Sequence, residues 1–139
     1  MTRGFLLDTN VLSELAKANP NQKVVAAIER FEDQLYTASI VWHDLVFGYM
    51  RMSESVKRSL LHDLLFHVLQ PTLSILPYDH RAARWHAQER TRLTNSGHPP
   101  SFADGQIAAI AATNDLTLVT NNIKDFAGFK ELSLENWHA

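Results

Sequence analysis

The 139-residue sequence contains no cysteine, which excludes a disulfide framework, a thiolate metal site and a cysteine nucleophile. This absence fits a reducing compartment, so we expect a cytoplasmic protein. Glycine is scarce, and none of the five glycines stands in the G-x-G-x-x-G or Walker spacing that cradles phosphates. Positive charge is in slight deficit, with 13 lysines and arginines against 15 aspartates and glutamates. That balance excludes a general nucleic-acid coat, so a nucleic-acid partner would need a local basic patch.

Long apolar runs are also missing. No uninterrupted apolar stretch approaches the roughly 18 residues that a membrane span needs, and the run in "MTRGFLLDTN" is too short for a signal peptide. Hydrophobic residues make up 45% and charged residues 20% of the chain, which is typical of one globular domain with its own core. We therefore expect a single domain over residues 1–139, with no membrane segment.

Short apolar runs alternate with helix-like patterns along the chain. Strands are predicted at "FLLD", "QLYTA", "LSILPY" and "LTLVT", with a weaker fifth strand at "KELSL". The intervening segments have helical spacing and predict helices over 9–18, 21–32, 39–52, 53–69, 79–97 and 101–114, with Ser39 as the N-cap of the third. The alternation predicts a three-layer α/β/α fold with a mostly parallel central sheet.

Acidic residues recur where such a sheet exposes the carboxyl ends of its strands. Asp8 closes the first strand, and Asp44 lies about one and a half turns into the helix after the second. Asp104 stands in the first turn of the helix before the fourth strand, which Asn122 and Asp125 follow. Because ligands of parallel sheets bind beyond the carboxyl ends of the strands, all five residues are candidates for one site.

Taken singly, each acid also has a structural explanation. Asp8 could cap the following helix, and Ser101 with Asp104 forms the S-x-x-D pattern of a capping box. Asp125 could be a loop residue, and Asp44 in "IVWHDLVFGY" could be a solvated helix residue. The convergence of the acids on one edge favours a joint role.

A cluster of carboxylates predicts a cation. Carboxylates repel one another and persist near neutral pH only if a cation or protons offset their charge. Hard oxygen ligands without histidine or cysteine suit Mg²⁺, and Mn²⁺ as well. A cation of this kind activates water and neutralises a phosphodiester during in-line attack. The acids therefore favour metal-dependent hydrolysis of a phosphodiester.

Over nearly its whole length, the chain resembles the PIN-domain ribonucleases and, within them, the VapC toxins of type II toxin–antitoxin pairs. The resemblance is carried by "LLDTNVLSEL", "ASIVWHDLVFGYMRM", "ILPYD", "FADGQIAAIAATNDLTLVTNNIKDF" and "LENW". It implies a magnesium-dependent endoribonuclease with Asp8 and Asp104 as the main metal ligands. The third family acid is usually the glutamate of an E-L-x-x-G pattern, which here is Asp44 in "DLVFG". The variable fourth position falls on Asn122, with Asp125 three residues on.

The same resemblance implies an RNA substrate, a small cognate antitoxin and a homodimer. Candidate contact surfaces are the apolar faces of the helices at 10–31 and 53–68. The departures at Asp44 and Asn122 leave an alternative open, in which the chain is a catalytically weak PIN domain that mainly binds its antitoxin or an RNA.

Histidines and basic residues offer further sites. The sequence has seven histidines but no H-x-x-x-H pair. His62 and His67 are about 140° apart around an α-helix, and His80 and His86 about 120°, so each pair is expected to face apart and a zinc site is not expected.

Two groups of basic residues could hold RNA phosphates, or could simply be exposed charged faces of helices. The first group is Arg81, Arg84, Arg90 and Arg92, beside Trp85 and His86, and the second is Arg51, Lys57 and Arg58.

"LLDTN" is also similar to the D-x-D motif of a phosphatase. The second acid of that motif is Asn10 here, so the general acid is missing. We expect Thr9 and Asn10 to hold the Asp8 turn through hydrogen bonds instead.

Overall fold

The computed structural model describes residues 3–139, and its strands form one five-stranded sheet in the order β3-β2-β1-β4-β5. Every neighbouring pair is parallel, which confirms the predicted parallel sheet. The strands are β1 Gly4–Leu7, β2 Leu35–Ala38, β3 Ser74–Leu76, β4 Leu116–Val119 and β5 Leu134–Glu135.

Helices connect the strands and flank the sheet, so the predicted α/β architecture is confirmed. In the described part of the chain, α6 packs against α7, and α7 contacts both β4 and β2. None of the helices within residues 3–139 is long and apolar enough to cross a membrane. The helices are α1 Thr9–Glu14, α2 Gln22–Arg30, α3 Ser39–Met50, α4 Val56–Asp63, α5 Gln70–Thr72, α6 His80–Asn95, α7 Phe102–Thr113 and α8 Ile123–Phe126.

The two central strands, β1 and β4, are buried along their whole length. Leu6, Leu7, Leu118 and Val119 have no exposed surface. Burial on both faces explains why β1 is a continuous apolar run and why even Thr117 of β4 is buried. Each fully buried leucine stabilises the fold by about 1.5–3 kcal/mol, so the ends of both strands are firmly placed.

Three predicted boundaries are wrong. Helix α1 ends at Glu14 rather than at residue 18, because the buried Glu14 carboxylate accepts hydrogen bonds from Lys17 Nζ (3.0 Å) and from the Asn21 backbone (2.9 Å) and so turns the chain. The N-cap of α3 is Ala38, one residue before the predicted Ser39. Strand β5 begins only at Leu134, the last residue of the predicted strand over 130–134, and Glu131 within that segment adopts a left-handed φ of 60° that a strand does not contain.

The predicted continuous helix over 53–69 is also wrong. Helix α4 begins after Ser55, whose hydroxyl accepts from the Arg58 backbone at 3.0 Å, and from Leu64 to Leu69 the chain is π-helical. In this geometry Leu65 and Leu69 are both buried, at 1% and 6% exposure. Hydrogen bonds between residues five apart define a π-helix, and they bring residues five apart to one face.

Candidate metal centre at the carboxyl edge of the sheet

The first candidate acid lies at the switch point of the sheet. From β1 the chain builds β2 and β3 on one side, whereas β4 and β5 lie on the other. Asp8 directly follows β1, and its backbone N–H donates to the Val119 carbonyl at the end of β4 at 3.0 Å. A crevice at the carboxyl edge between two such strands is the usual ligand site of an open parallel sheet.

The Asp8 carboxylate is fixed by three hydrogen bonds. Oδ1 accepts from the Thr9 backbone at 2.8 Å. Oδ2 accepts from the Thr120 hydroxyl at 2.9 Å and from the Asn10 amide at 3.2 Å. Burial raises the pKa of Asp8, these hydrogen bonds oppose the rise, and the charge of Asp44 adds to it. Asp8 therefore caps α1 and is also held rigidly at the sheet edge, so the two roles are compatible.

Thr120, which the sequence analysis did not single out, joins two loops at this edge. Its hydroxyl accepts from the Asn122 backbone at 3.0 Å, in addition to its bond with Asp8. Asn10 Oδ1 accepts from the Asn121 backbone at 3.0 Å, so Asn10 ties the Asp8 turn to the same loop. This agrees with the expected role of Asn10. The Asn122 side chain is exposed and makes no capping bond to α8.

Asp104 enters the same edge from helix α7. Its backbone N–H donates to the Ser101 hydroxyl at 3.1 Å, so Ser101 is the N-cap of α7. Burial raises the pKa of Asp104, and the negative charges of Asp125 and Asp8 raise it further. The next residue, Gly105, lies so close to the His86 ring that any Cβ there would overlap it. Close packing of α7 on α6 therefore sets where Asp104 stands.

Asp44 and Asp125 are more open to solvent. The Asp44 side chain is 51% exposed, and its Oδ1 lies 3.3 Å from His43 Nδ1. It is nevertheless near enough to raise the pKa of Asp8 through its charge. Asp125 is exposed and faces Asp104 across a cleft of about 720 Å³. The structure thus brings all four aspartates to one edge, two of them half-buried or deeper and two at the rim.

The acidic cluster fits a hydrated divalent cation better than a dry one. All the acidic side chains that converge offer oxygen ligands, and the negative charges of their neighbours help to raise the pKa of Asp8 and Asp104. Among residues 3–139, no three of these carboxylates have oxygens that all lie within 4.8 Å of one another. Mg²⁺ loses water reluctantly and is usually bound by one or two carboxylates plus several waters, so a wide cluster suits it.

Only part of the predicted basic surface is free. Arg92 is bound to Glu89 through two hydrogen bonds of 2.8 and 3.0 Å and to the Gly128 carbonyl at 2.8 Å. His86 is 2% exposed, so it is a core residue and cannot meet RNA. In contrast, Lys124 lines the large cleft beside the acids. The α6 arginines that remain exposed are Arg81, Arg84 and Arg90.

An apolar groove runs from the surface to the acidic edge. Two clefts of about 310 and 350 Å³ share four lining residues, and the second of them includes Asp44. The groove lies between the end of α1 and helix α4, within the two segments expected to form contact surfaces. We call this surface the α1–α4 groove; the shared residues are Ala16, Lys57, Leu61 and Leu64.

The comparisons with known proteins agree with this architecture. The PIN domain family matches residues 5–132. The chain is 32% identical over 137 residues to Toxin FitB of Neisseria gonorrhoeae, covering 96% of this chain and 99% of that one. It is 34% identical over 125 residues to VapC ribonuclease Y4jK of Sinorhizobium fredii, covering 88% and 89%.

Two solved structures extend the comparison. The structure of FitAB bound to an IR36 DNA fragment superposes with a TM-score of 0.88 at 30% identity, covering 97% of this chain and 96% of that chain. VapBC-5 of Mycobacterium tuberculosis, a member of the VapBC family of toxin–antitoxin systems, gives a TM-score of 0.70 at 26% identity, covering 96% and 97%. The residues matched by the family, 5–132, include every acid at the sheet edge, and the chain therefore belongs to the PIN domain family.

Proposed function

We propose that this chain is a metal-dependent endoribonuclease that acts as the toxin of a type II toxin–antitoxin pair. The observation that carries the proposal is the convergence of Asp8, Asp44, Asp104 and Asp125 at the switch point of a PIN-domain sheet. The names of the relatives support it, since one is a VapC ribonuclease and another a toxin. In this proposal the chain acts on RNA in the cytoplasm.

The residues divide the work by burial. Asp8 and Asp104 would hold Mg²⁺, or Mn²⁺ in its place, because they are the least exposed and best fixed of the acids. Asp44 would serve as a further ligand or orient the attacking water. Asn122 or Asp125 would complete the shell. When bound, the cation offsets the negative charge of the cluster and of the phosphodiester and makes water a better nucleophile.

The RNA would enter along the 720 Å³ cleft beside Asp104 and Asp125. Lys124 and His98 line this cleft. Helix α6, which carries the exposed arginines, also contributes Arg92 and Leu93 to its lining. Contacts of this kind hold phosphates and carry little sequence information. They position a backbone next to the carboxylates while the identity of the RNA is read elsewhere.

A cleavage assay with charge-neutralising variants tests the assignment. Asp8→Asn or Asp104→Asn removes one formal charge from the cluster with little change of shape, and should abolish Mg²⁺-dependent cleavage of structured RNA. Asp33→Asn is the matched control, because Asp33 is exposed and precedes β2, at the opposite edge of the sheet. Cleavage by either variant at the wild-type rate would show that the metal site is misassigned. Absence of cleavage by the wild type at any Mg²⁺ concentration would favour the alternative of a binding module.

We further propose that the antitoxin lays an amphipathic segment in the α1–α4 groove. The groove is lined by leucines and leads to Asp44, so a basic antitoxin side chain could reach the acids and exclude the cation. Leu61→Glu should weaken antitoxin binding, because it buries a charge in an apolar contact. Val56→Glu is the control, since Val56 lies on the same helix but is 79% exposed and outside the groove. Equal affinity of the two variants would contradict this use of the groove.

A homodimer also belongs to the proposal. Phe47 and Met50, both on α3, expose 53% and 64% of their surfaces and offer apolar area for a second copy. Light scattering of the purified chain at micromolar concentration should give twice the mass of one chain. A monomeric mass would contradict the dimer and leave the catalytic assignment untouched.

A further inference from the structure

His62, Asp63 and His67 form a compact exposed group where α4 runs into the π-helical segment. Asp63 Oδ1 lies 3.4 Å from His62 Nδ1 and 4.0 Å from His67 Nε2. Within residues 3–139, this is the group of three histidine or acidic residues whose potential ligand atoms all lie within 4.8 Å of one another. The group takes no part in the acidic cluster described above, and the expectation that His62 and His67 face apart is wrong.

The π-helical segment creates the group. In an unbroken α-helix, residues five apart point about 140° from each other. The π-helical bonds from Leu64 onward, such as that from the Gln70 N–H to the Leu65 carbonyl, bring such residues together instead. The rings of His62 and His67 are accordingly only 5.6 Å apart. Segments of this kind are rare and frequently occur at functional sites.

Packing orients one ligand and leaves the others free to adjust. The His62 ring lies 5.1 Å from that of Phe66 and 5.6 Å from that of Tyr49. The side chains of His62, Asp63 and His67 are 43%, 64% and 68% exposed. An ion can therefore reach all three, and the two outer side chains can move without disturbing the core.

We propose that His62, Asp63 and His67 bind one transition-metal ion of the Zn²⁺ class, with water in the remaining position. Tetrahedral Zn²⁺ with bonds of about 2.0–2.1 Å holds its ligand atoms about 3.3–3.4 Å apart. The pair His62–Asp63 already has this spacing, and His67 needs to approach Asp63 by about 0.6 Å. Imidazole ligands suit Zn²⁺ and Ni²⁺, whereas Mg²⁺ prefers oxygen, so this site and the acidic cluster select different ions.

The ion would stabilise the conformation of one side of the α1–α4 groove. The segment that it ties together, residues 62–67, contains Leu64 and directly follows Leu61, and both leucines line that groove. A metal that links His62 to His67 holds the π-helical turn in the conformation seen here, and with it the positions of both leucines. The metal site itself does not depend on the proposed nuclease function.

Calorimetric titration with ZnCl₂ tests the site in the wild-type chain, with millimolar Mg²⁺ present to occupy the acidic cluster. We expect one Zn²⁺ to bind with a Kd in the micromolar range or below. His67→Ala should weaken binding at least tenfold, or about 1.4 kcal/mol. The matched control is His80→Ala, because His80 is an exposed histidine on another helix and should leave the Kd unchanged. A wild-type chain that binds no Zn²⁺ below about 100 μM, or a His67→Ala variant with the wild-type Kd, overturns the proposal.

A second variant tests the register that the π-helical turn imposes. His67→Ala combined with Val68→His keeps the number of histidines but moves one by a single position to a site that is 53% exposed. It should not restore Zn²⁺ binding, and Zn²⁺ should raise the Tm of the wild type but not that of this variant. Full restoration would show that a loose surface histidine is sufficient and would refute the built site. Circular dichroism of both variants without metal confirms that each is folded.

Discussion

Thr120→Val removes one hydroxyl from beneath the acidic cluster without changing the shape of the side chain. The Thr120 hydroxyl is fully buried, donates to Asp8 Oδ2 at 2.9 Å and accepts from the Asn122 backbone at 3.0 Å. A hydrogen bond to a charged group contributes about 1.5–3 kcal/mol. Its loss should raise the pKa of Asp8 further, because one hydrogen bond fewer would then oppose the effect of burial.

The assay is the pH profile of RNA cleavage at a fixed Mg²⁺ concentration. Cleavage needs the Asp8 carboxylate, so the acid limb of the pH profile should move to higher pH in Thr120→Val. Thr120→Ser, which keeps the hydroxyl, should return the acid limb toward the wild-type position. Thr117→Val is the matched control, because Thr117 is a buried threonine of β4 whose hydroxyl donates to Ser133 at 3.2 Å, not to an acid. An unmoved acid limb, or an equal shift in both valine variants, would show that the Thr120 hydroxyl does not stabilise the ionised Asp8 carboxylate.

Three further predictions follow from the same edge of the sheet. Asp44→Glu should raise the cleavage rate roughly tenfold or more at limiting Mg²⁺, which is about 1.4 kcal/mol of barrier, whereas Asp44→Ala should lower the rate. Equal Mg²⁺ titration curves for the wild type and both variants would mean that Asp44 is only a solvated helix residue. Asp104→Asn should raise the Tm in EDTA at neutral pH. The pKa of Asp104 is raised in the folded protein, so its stabilising contribution is present below the ordinary pKa of 3.8 and is lost as the pH rises through the higher folded pKa. Asparagine carries no charge and avoids this loss. The gain should shrink toward pH 4, and a gain that is independent of pH would contradict it. Gly105→Ala should destabilise the fold by about 1–3 kcal/mol in urea unfolding, since its Cβ would overlap the His86 ring; an unchanged midpoint would show that α6 and α7 separate easily.

Much of the fold follows from the apolar runs of the sequence. Strand β1 reads as a continuous hydrophobic segment because it is buried on both faces, and Asp8 could be placed at its end. Asp104 was predicted in the first turn of its helix from the Ser101 signal, and the capping bond is present at 3.1 Å. These features depend on local pattern, which a sequence displays directly.

The remaining features depend on tertiary contacts that no local pattern reveals. Thr120 resembles any threonine after a strand, and only the pairing of β4 with β1 brings its hydroxyl to Asp8. The π-helical segment from Leu64 to Leu69 changes the angle between side chains five residues apart, so a calculation of α-helical angles for His62 and His67 fails. The acids and the role of Asn10 could thus be predicted from the sequence, whereas the role of Thr120 could not.

The position of a bound cation would show whether Asp8 and Asp104 are its ligands. A crystal of the wild-type chain grown with Mn²⁺ as a substitute for Mg²⁺ would reveal the ion by its anomalous scattering. We expect a peak at the carboxyl edge of the sheet, in contact with the carboxylates of Asp8 and Asp104. A crystal grown at saturating Mn²⁺ that shows no peak there, or an ion that touches neither aspartate, would contradict the assignment of Asp8 and Asp104 as metal ligands.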